Sequence, residues 1–378
     1  MNFDLIEEQK DLKEILHKYA TEVLAPRAVE IDKNNRFPKE TIKELAEQDL
    51  MGIAYPEEYG GAGADSVTEA IAVEEIAYGC GATASILTGH YLGFDALYLA
   101  GTPEQKEEYL KPACLGEKLA GFALTEPGSG SDAGASSTIA TEDGDAYVLN
   151  GTKHFITNAA DADFLIAFAM TDKPKKTHGM TAFIVPKGTP GFSIGVGDDK
   201  MGIRGGRTWE VIFDHCRIPK KNIVGEINHG FKLAMQVIDR GRTGIAAMSV
   251  GIAQAALDMA VSYAKERIVF GERLADFQGL RWMLAEMEAD VEAARYLTYY
   301  VSSLKDKHIR FSKQAACAKL FAAEAAHRVV DKALQIHGGY GYMKEYPIER
   351  LYRDQRITEI FEGTSQIQKI VIAGQLLK

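Results

Sequence analysis

The chain has 378 residues, of which 46% are hydrophobic and 25% charged, with a formal net charge of −10. This length admits roughly two to three domains and a substantial buried core, and the negative balance argues against nucleic acid or an anionic membrane as partner, since both select basic patches. Four cysteines, Cys80, Cys114, Cys216 and Cys317, stand far apart with no CxxC pair, so neither a zinc ribbon nor a dithiol redox motif is signalled.

The first residues, MNFDLIEEQKDLKEIL, mix charge into an apolar pattern, unlike a signal or transit peptide. No apolar run reaches ~18 residues, so no membrane span is expected and a cytoplasmic location is. Residues 1 to about 120 read as helical. Leu5, Leu12, Ile15 and Leu16 recur at helical spacing, a second stretch runs from Lys39 to Gln48, and a third from Ser66 to Tyr78. A Pro/Gly cluster, Pro56 to Gly61, breaks the pattern between the last two.

Near Ala120 the texture changes. Tyr147-Val148-Leu149, Asn150-Gly151 and Thr152 to Thr157 predict a hairpin turning at Asn-Gly. Short β-type runs follow at Phe164–Ala169, Met180–Val185 and Val211–Phe213, which together predict a β region of about 100 residues ending near Gly225. After His229 the helical period returns. Leu284, Met287, Val291, Ala294, Thr298 and Val301 form a heptad-like stripe suited to a bundle, and residues 312 to 337 form an alanine-rich helix. The expected class is α+β in three parts: an all-α region 1–120, a β region 121–228 and a helical bundle 229–378. Strands do not alternate with helices, so a doubly wound plan is excluded.

Four segments carry chemistry. Leu124-Thr125-Glu126-Pro127-Gly128-Ser129-Gly130-Ser131-Asp132 offers small residues, hydroxyls at Ser129 and Ser131, and a stiffening proline. It suits a phosphate or a flat polar ring, or else is a surface loop; it lacks GxGxxG spacing. Arg267-Ile268-Val269-Phe270-Gly271, then Phe277-Gln278, offers an arginine and an aromatic for a pyrophosphate, or an ordinary helix end. Gln335-Ile336-His337-Gly338-Gly339-Tyr340-Gly341-Tyr342 has more glycine than a helix cap requires, which fits a backbone pressed against a cofactor. None of the nine histidines stands at metal-ligand spacing, and no metal is expected. Finally, Ile360-Phe361-Glu362-Gly363-Thr364-Ser365-Gln366 sets a carboxylate beside apolar groups. Desolvation there raises its pKa toward neutrality, as a general base working on carbon requires; a solvated helix-end glutamate is the plainer reading.

In collinear order across the whole chain, these segments resemble the acyl-CoA dehydrogenase family. The match rests on Thr125 to Asp132, Asn150-Gly151-Thr152-Lys153, Ile156-Thr157-Asn158, Arg267 to Gly271, Gln335 to Gly341 and Phe361-Glu362-Gly363-Thr364. The resemblance implies an N-terminal helical domain, a β-barrel-like middle domain, a C-terminal four-helix bundle and non-covalent FAD. Phe122, Leu124, Thr125, Gly130 and Ser131 match positions that touch the flavin or position substrate. Phe155 and Thr157 match the pair that packs on and hydrogen-bonds the isoalloxazine; many relatives carry tryptophan at Phe155, whose indole N–H is lost here. Arg267, Phe270, Gln278, Gln335, Gly338 and Gly339 match residues holding pyrophosphate and adenine, partly across a subunit interface. Thr364 and Gln366 match positions near the dinucleotide. A homotetramer is thereby implied, as is transfer of electrons to electron-transfer flavoprotein.

By the same resemblance Glu362 is the catalytic base, taking the α-proton of a CoA thioester while the β-hydride passes to the flavin. Its backbone N–H, with Gly363 beside it in the substrate site, would polarise the thioester oxygen. Some branches of the family carry the base just before an arginine on another helix. Here that position is Gly241, before Arg242, so Glu362 has no rival. Arg242 matches an arginine near the active-site loop, and Asp239 a residue near the pantetheine arm. Thr88, His90 and Tyr91 are polar or bulky for a long-chain tunnel, so a short acyl chain is expected. A branched or alicyclic acyl group, an acyl-CoA oxidase and a non-catalytic flavin or acyl-CoA binding protein are the alternatives.

Overall fold

The computed structural model describes residues 4–307 and 309–378. The N-terminal region is helical. Helix α1 (Glu7–Tyr19) continues through a π-helical turn into α2 (Ala25–Asn34), which ends on left-handed Asn35. Helix α3 (Lys39–Glu47) leads to α4 (Ser66–Gly79), whose first turn is capped by the Asp65 carboxylate accepting from the Thr68 N–H at 2.7 Å. Helix α5 (Gly81–Ala100) is buried from Gly81 to Leu97, and the short α6 (Pro103–Gln105) and α7 (Lys111–Cys114) close the region.

Strands follow: β1 (Ala120–Ala123), β2 (Ile139–Asp143), β3 (Ala146–Thr157), β4 (Phe164–Met170), β5 (Met180–Pro186), β6 (Phe192–Gly197), β7 (Thr208–Pro219) and β8 (Ile223–Val224). They form one sheet in the order β6-β7-β3-β2-β4-β5-β8, with β1 pairing parallel to β4. One sequence expectation fails here. Asn150-Gly151 is not a hairpin turn, because β3 runs straight through it. The real turn lies at Asp143 to Ala146, around left-handed Gly144. Asn150-Gly151 instead marks a register shift against β7, where the Asn150 side chain accepts from the His215 N–H at 2.8 Å. A Cβ on Gly151 would stand 2.6 Å from the Thr138 hydroxyl, so glycine serves close strand approach at a bulge.

Helix α8 (Gly230–Glu266) opens the C-terminal region. A two-strand ribbon, β9 (Ile268–Val269) and β10 (Glu272–Arg273), then leads to α9 (Gln278–Lys305), α10 (Ser312–His337), α11 (Ile348–Gln355) and α12 (Ser365–Leu376). Helix α10 packs on α8, α9 and α12. The expected stripe on α9 is buried from Met287 to Val301, and its polar member Thr298 satisfies its hydroxyl on the Ala294 carbonyl at 2.7 Å. Helix α8 is long and apolar enough to cross a membrane by composition, yet most of its apolar stretch is buried against α4, α5, α9 and α10.

Two charged layers join the N-terminal helices to the bundle. Glu74 on α4 accepts from Lys13 and Arg295, each at 2.9 Å, and from the Tyr299 hydroxyl at 2.7 Å. Glu69 pairs with Lys305 at 2.7 Å, both buried. Breaking either pair would strand a charge in the core.

Candidate active site

Helix α5 is the element that gathers the site. At Gly93 an added Cβ would lie 2.6 Å from the Gly121 nitrogen on β1, and at Gly89 it would lie 2.9 Å from Thr157 Cγ2 at the end of β3. Glycine at these turns lets the helix press onto the sheet. Just past Thr157, left-handed Asn158 donates from Nδ2 to the Ile86 carbonyl at 3.0 Å, fixing that contact. Leu92, three residues along α5 from Gly89, lies against Gly241 of α8, where an added Cβ would stand 2.7 Å from Leu92 Cδ2. A rise of about 4.5 Å over three helical residues therefore brings the β3 terminus and the Glu362 neighbourhood within one turn of each other.

Glu362 lies in the connection between α11 and α12, where Glu362 (φ 50) and Gly363 (φ 92) are both left-handed. For a glutamate this conformation costs on the order of 1–3 kcal/mol and needs support from its surroundings. Thr364 caps α12, its Oγ1 accepting from the Ile367 N–H at 3.2 Å. Gln368, fully buried, donates to the Glu362 carbonyl at 3.2 Å and the Gly363 carbonyl at 2.8 Å. Lys319 of α10, also fully buried, donates to the Gly363 carbonyl at 2.8 Å.

The Glu362 side chain points to α8. Its Oε2 is sealed from solvent, has no hydrogen-bond partner among the described residues, and lies 2.6 Å from where a Cβ on Gly241 would be. Loss of hydration pushes the carboxyl up to about 8; Lys319 and Arg242 pull it down, and Asp95 pushes it further up. Arg242 is buried and donates from Nη1 to Asp239 Oδ1 at 2.6 Å, while the other Asp239 oxygen accepts from the Ser312 hydroxyl. Asp239, expected near the pantetheine arm, also orients Arg242. The Arg242 Nε is buried without a partner among the described residues.

The Thr-Glu-Pro loop is anchored from within. Glu126 and Ser129 exchange two backbone hydrogen bonds of 3.0 Å around Pro127-Gly128. The buried Glu126 carboxylate accepts from Lys153 Nζ at 2.7 Å and from the Ser137 N–H and hydroxyl, each at 2.6 Å; Lys153 also donates to the Leu124 carbonyl at 3.1 Å. The Thr125 carbonyl accepts from the His154 N–H at 2.9 Å. The Ser129 hydroxyl is spent on the Asp132 carbonyl at 2.7 Å, so of the two loop hydroxyls Ser131, exposed beside Gly130, is the one left facing outward. Leu124 is buried, and Phe122 is half-buried against Phe168, ring centres 4.9 Å apart.

Phe155 stands at a break in the β3–β7 register, with φ 59 and 60% exposure, its ring edge-on to His154. An exposed aromatic held in a left-handed conformation, beside half-buried Thr157, is a platform for a flat ring.

A second group lies at the far end of α8 and α10. Arg267, Gly338 and Gly339 line a pocket of about 470 Å³, with the Arg267 guanidinium 5.3 Å from the Tyr340 ring centre. A Cβ on Gly338 or Gly339 would meet nothing within 4 Å, so that backbone is open to a ligand. Arg267 to Gly271 is not an ordinary helix end: Phe270 (φ 51) and Gly271 (φ 82) form the two-residue turn of the β9–β10 ribbon, with Phe270 97% exposed at its tip. Gln278, Gln335 and Gln366 are exposed as well. No hydrogen bond or ring contact joins this group to the Phe155 face among the described residues. An aromatic platform, an anchored loop with an outward hydroxyl, and a separate arginine-and-glycine pocket fit a long dinucleotide better than a compact ligand. The described residues contain no group of three or more His, Cys, Asp or Glu placed to hold a metal ion.

Sequence reasoning missed Lys319, Gln368 and Asp95 around the carboxylate. Each is one residue inside a helix, with no local motif to announce it. His90 and Tyr91 do not offer their polar atoms to the site. The His90 ring bridges the Ala120 N–H and the Ala113 carbonyl, and the Tyr91 hydroxyl donates to the Leu50 carbonyl.

Three family models match in order: the acyl-CoA dehydrogenase N-terminal domain over residues 6–117, the middle domain over 121–216 and the C-terminal domain over 228–377. The chain is 48% identical over 380 residues to the acryloyl-CoA reductase (NADH) of Anaerotignum propionicum, covering 100% of this chain and 96% of that protein. It superposes with a TM-score of 0.98 on butyryl-CoA dehydrogenase from Megasphaera elsdenii, at 44% identity and complete coverage of both chains. The same TM-score, identity and coverage hold for a chain solved in the study of the electron transferring flavoprotein of Acidaminococcus fermentans and flavin-based electron bifurcation. With three successive domain models, a matching fold over its whole length and a glutamate whose Oε2 is shielded at the meeting of α5, α8 and α12, the chain belongs to the acyl-CoA dehydrogenase family.

Proposed function

We propose that this enzyme catalyses the α,β-dehydrogenation of a short-chain acyl-CoA to the trans-2-enoyl-CoA, using FAD and passing the electrons to electron-transfer flavoprotein. The observation that carries the reading is the Glu362 carboxyl, whose Oε2 is sealed from water beside Gly241 and whose ionisation burial raises to about 8. Glu362 removes the α-proton, and its backbone N–H donates to the thioester oxygen, where enolate charge develops. Bound FAD supplies the acceptor for the β-hydride. Phe155 and Thr157 hold its ring, and Thr125, Gly130 and Ser131 line its edge. Arg267, Phe270, Gln278, Gln335, Gly338 and Gly339, with Thr364 and Gln366, hold the remainder of the dinucleotide, in part from a second subunit of a homotetramer. The proposal includes divisions at residues 1–120, 121–228 and 229–378 and a cytoplasmic location. The short-chain assignment draws on the four-carbon acyl group named for the Megasphaera elsdenii enzyme and the three-carbon group named for the Anaerotignum propionicum protein.

Anaerobic addition of butyryl-CoA to the purified yellow protein tests the reading. Bleaching of the flavin is expected, fastest with straight short chains in a panel that includes branched and cyclic thioesters. A flavin that stays oxidised with every member would overturn it. A second reading, reduction of a short enoyl-CoA, is favoured by the acryloyl-CoA reductase relative and by the same carboxyl: at neutral pH a group raised to about 8 is mostly protonated, ready to deliver a proton to the α-carbon. Reoxidation of the reduced enzyme by acryloyl-CoA, compared with bleaching by propionyl-CoA, separates the two directions.

A further inference from the structure

Lys319 is a lysine in the interior of an alanine-rich helix face. Its α10 neighbours Ala315, Ala316, Ala318, Ala322 and Ala323 are buried as well. Such a face packs without a charge, and burying an ammonium is costly unless it has a specific partner. The Lys319 Nζ reaches across to the Gly363 carbonyl at 2.8 Å, the peptide directly after Glu362. Gln368 shares that carbonyl at 2.8 Å and takes the Glu362 carbonyl at 3.2 Å. A Cβ on Gly363 would lie 2.8 Å from Gln368 Nε2. Two buried side chains from two helices therefore converge on two consecutive left-handed residues.

We infer that Lys319 and Gln368 form a positioning clamp for the base: together they hold the Glu362–Gly363 turn so that the carboxylate points at Gly241, and Lys319 adds its positive charge to that turn. The inference rests on the reading of Glu362 as the base. The charges facing Glu362 are Lys319 from α10, Arg242 from α8, itself paired with Asp239, and Asp95 from α5. Lys319 and Arg242 favour the carboxylate and Asp95 opposes it; burial lowers the Lys319 ammonium itself to about 8, so its charge is present at pH 7 and is lost through the range in which Glu362 ionises. Asp95 is already bonded to the Tyr55 hydroxyl at 2.8 Å and to Arg240 Nε at 2.7 Å. Glu359, nearby on the chain, is paired with His327 at 3.0 Å. Gln368 contributes geometry without charge, so the two halves of the clamp are separable.

The test compares Lys319→Met, Lys319→Gln, Lys319→Arg and Gln368→Leu with the wild-type holoenzyme. Flavin content and visible spectrum report folding, and the rate of anaerobic bleaching by butyryl-CoA is followed across pH. In parallel, the Glu362 carboxyl is titrated in FAD-free protein by difference infrared spectroscopy against Glu362→Gln. Lys319→Gln keeps a donor for the Gly363 carbonyl and removes the charge. It should move the ionisation limb up by about one pH unit and slow bleaching at pH 7 about tenfold, with recovery at high pH. Lys319→Arg should restore the limb, and Gln368→Leu should slow bleaching at every pH without moving it. A wild-type limb in both Lys319→Gln and Lys319→Met, by rate and by infrared titration, would overturn the charge role. Wild-type rates in Gln368→Leu would overturn the clamp. If Lys319→Met fails to fold, Lys319→Gln decides alone, and if both fail, a limb displaced in Lys319→Arg or wild-type rates in Gln368→Leu would overturn the inference. Wild-type bleaching in Glu362→Gln would instead refute the base assignment, a separate failure.

Discussion

The carboxylate of Glu362 occupies space that any side chain on Gly241 would take. An added Cβ would lie 2.6 Å from Glu362 Oε2 and 2.7 Å from Leu92 Cδ2. Gly241 is therefore more than a position without a competing carboxylate: its missing side chain is the room in which the Glu362 carboxylate sits. Gly241→Ala should push the carboxylate aside and slow flavin bleaching by butyryl-CoA about 100-fold, in line with the penalty for small misplacement of a reacting group. Flavin content should be retained, because the change lies at α8 and not on the Phe155 face. Stopped-flow bleaching with matched absorbance spectra checks both parts. A wild-type rate would mean that the carboxylate works from another position.

The raised Glu362 carboxyl sets a pH dependence of rate and of stability with opposite signs. Proton abstraction needs the ionised form, so bleaching should rise with pH through about 8 in the direction of dehydrogenation. For stability, the unfolded carboxyl ionises near 4.5 while the folded one holds its proton to about 8. Between those values the folded state binds more protons, so this group lowers stability progressively as pH rises. Glu362→Gln removes that cost. It should abolish bleaching, retain flavin, and raise the melting temperature of FAD-free protein more at pH 8 than at pH 5. Thermal melts at the two pH values check the sign; an equal shift at both would contradict burial as the cause.

Much of this arrangement was legible in the sequence, and the misses have physical reasons. The alanine-rich run 312–337 matches α10 because its period, its composition and its glycine ending agree. Asn150-Gly151 misled because Asn-Gly is a local turn signal, whereas β3 is held straight by pairing with β7 on one side and β2 on the other. Glu362 stood out only through its motif. Its pKa depends on burial and on Lys319, Arg242 and Asp95, which come from three helices remote in sequence. The bonds of Asp239 to Arg242 and Ser312 were not legible either, because they depend on α8 meeting α10.

Phe155 exposes a large aromatic surface while holding a left-handed backbone. Nothing in the folded chain requires that ring to be exposed, so its worth should appear in the flavin complex. Phe155→Ala should leave the melting temperature of FAD-free protein nearly unchanged. It should weaken FAD binding about three- to tenfold, the range for one aromatic stacking contact. Phe155→Trp should bind at least as tightly as the wild type. Fluorescence titration of FAD into stripped protein provides the constants, and unchanged affinity in Phe155→Ala would remove Phe155 from the platform.

Lys153 and Glu126 are both essentially without solvent contact, 2.7 Å apart, beneath the loop that carries Thr125, Gly130 and Ser131. Burial alone would raise the Glu126 carboxyl. Lys153 and the donors from Ser136 and Ser137 more than offset it and hold the group well below the usual carboxylate range. A carboxyl depressed on folding contributes stability that is present above about pH 4.5 and is lost as pH falls below it. Lys153→Met leaves Glu126 charged and unpaired in the interior and should destabilise the protein by roughly 3–5 kcal/mol at pH 7. The penalty should shrink toward pH 3, because protonation then removes the stranded charge. Lys153→Met with Glu126→Gln should recover most of the loss at pH 7, for the same reason. Urea unfolding at the two pH values measures each difference. Equal penalties at pH 7 and pH 3 would show that Lys153 acts by filling space and by its bond to the Leu124 carbonyl, not through its charge on Glu126.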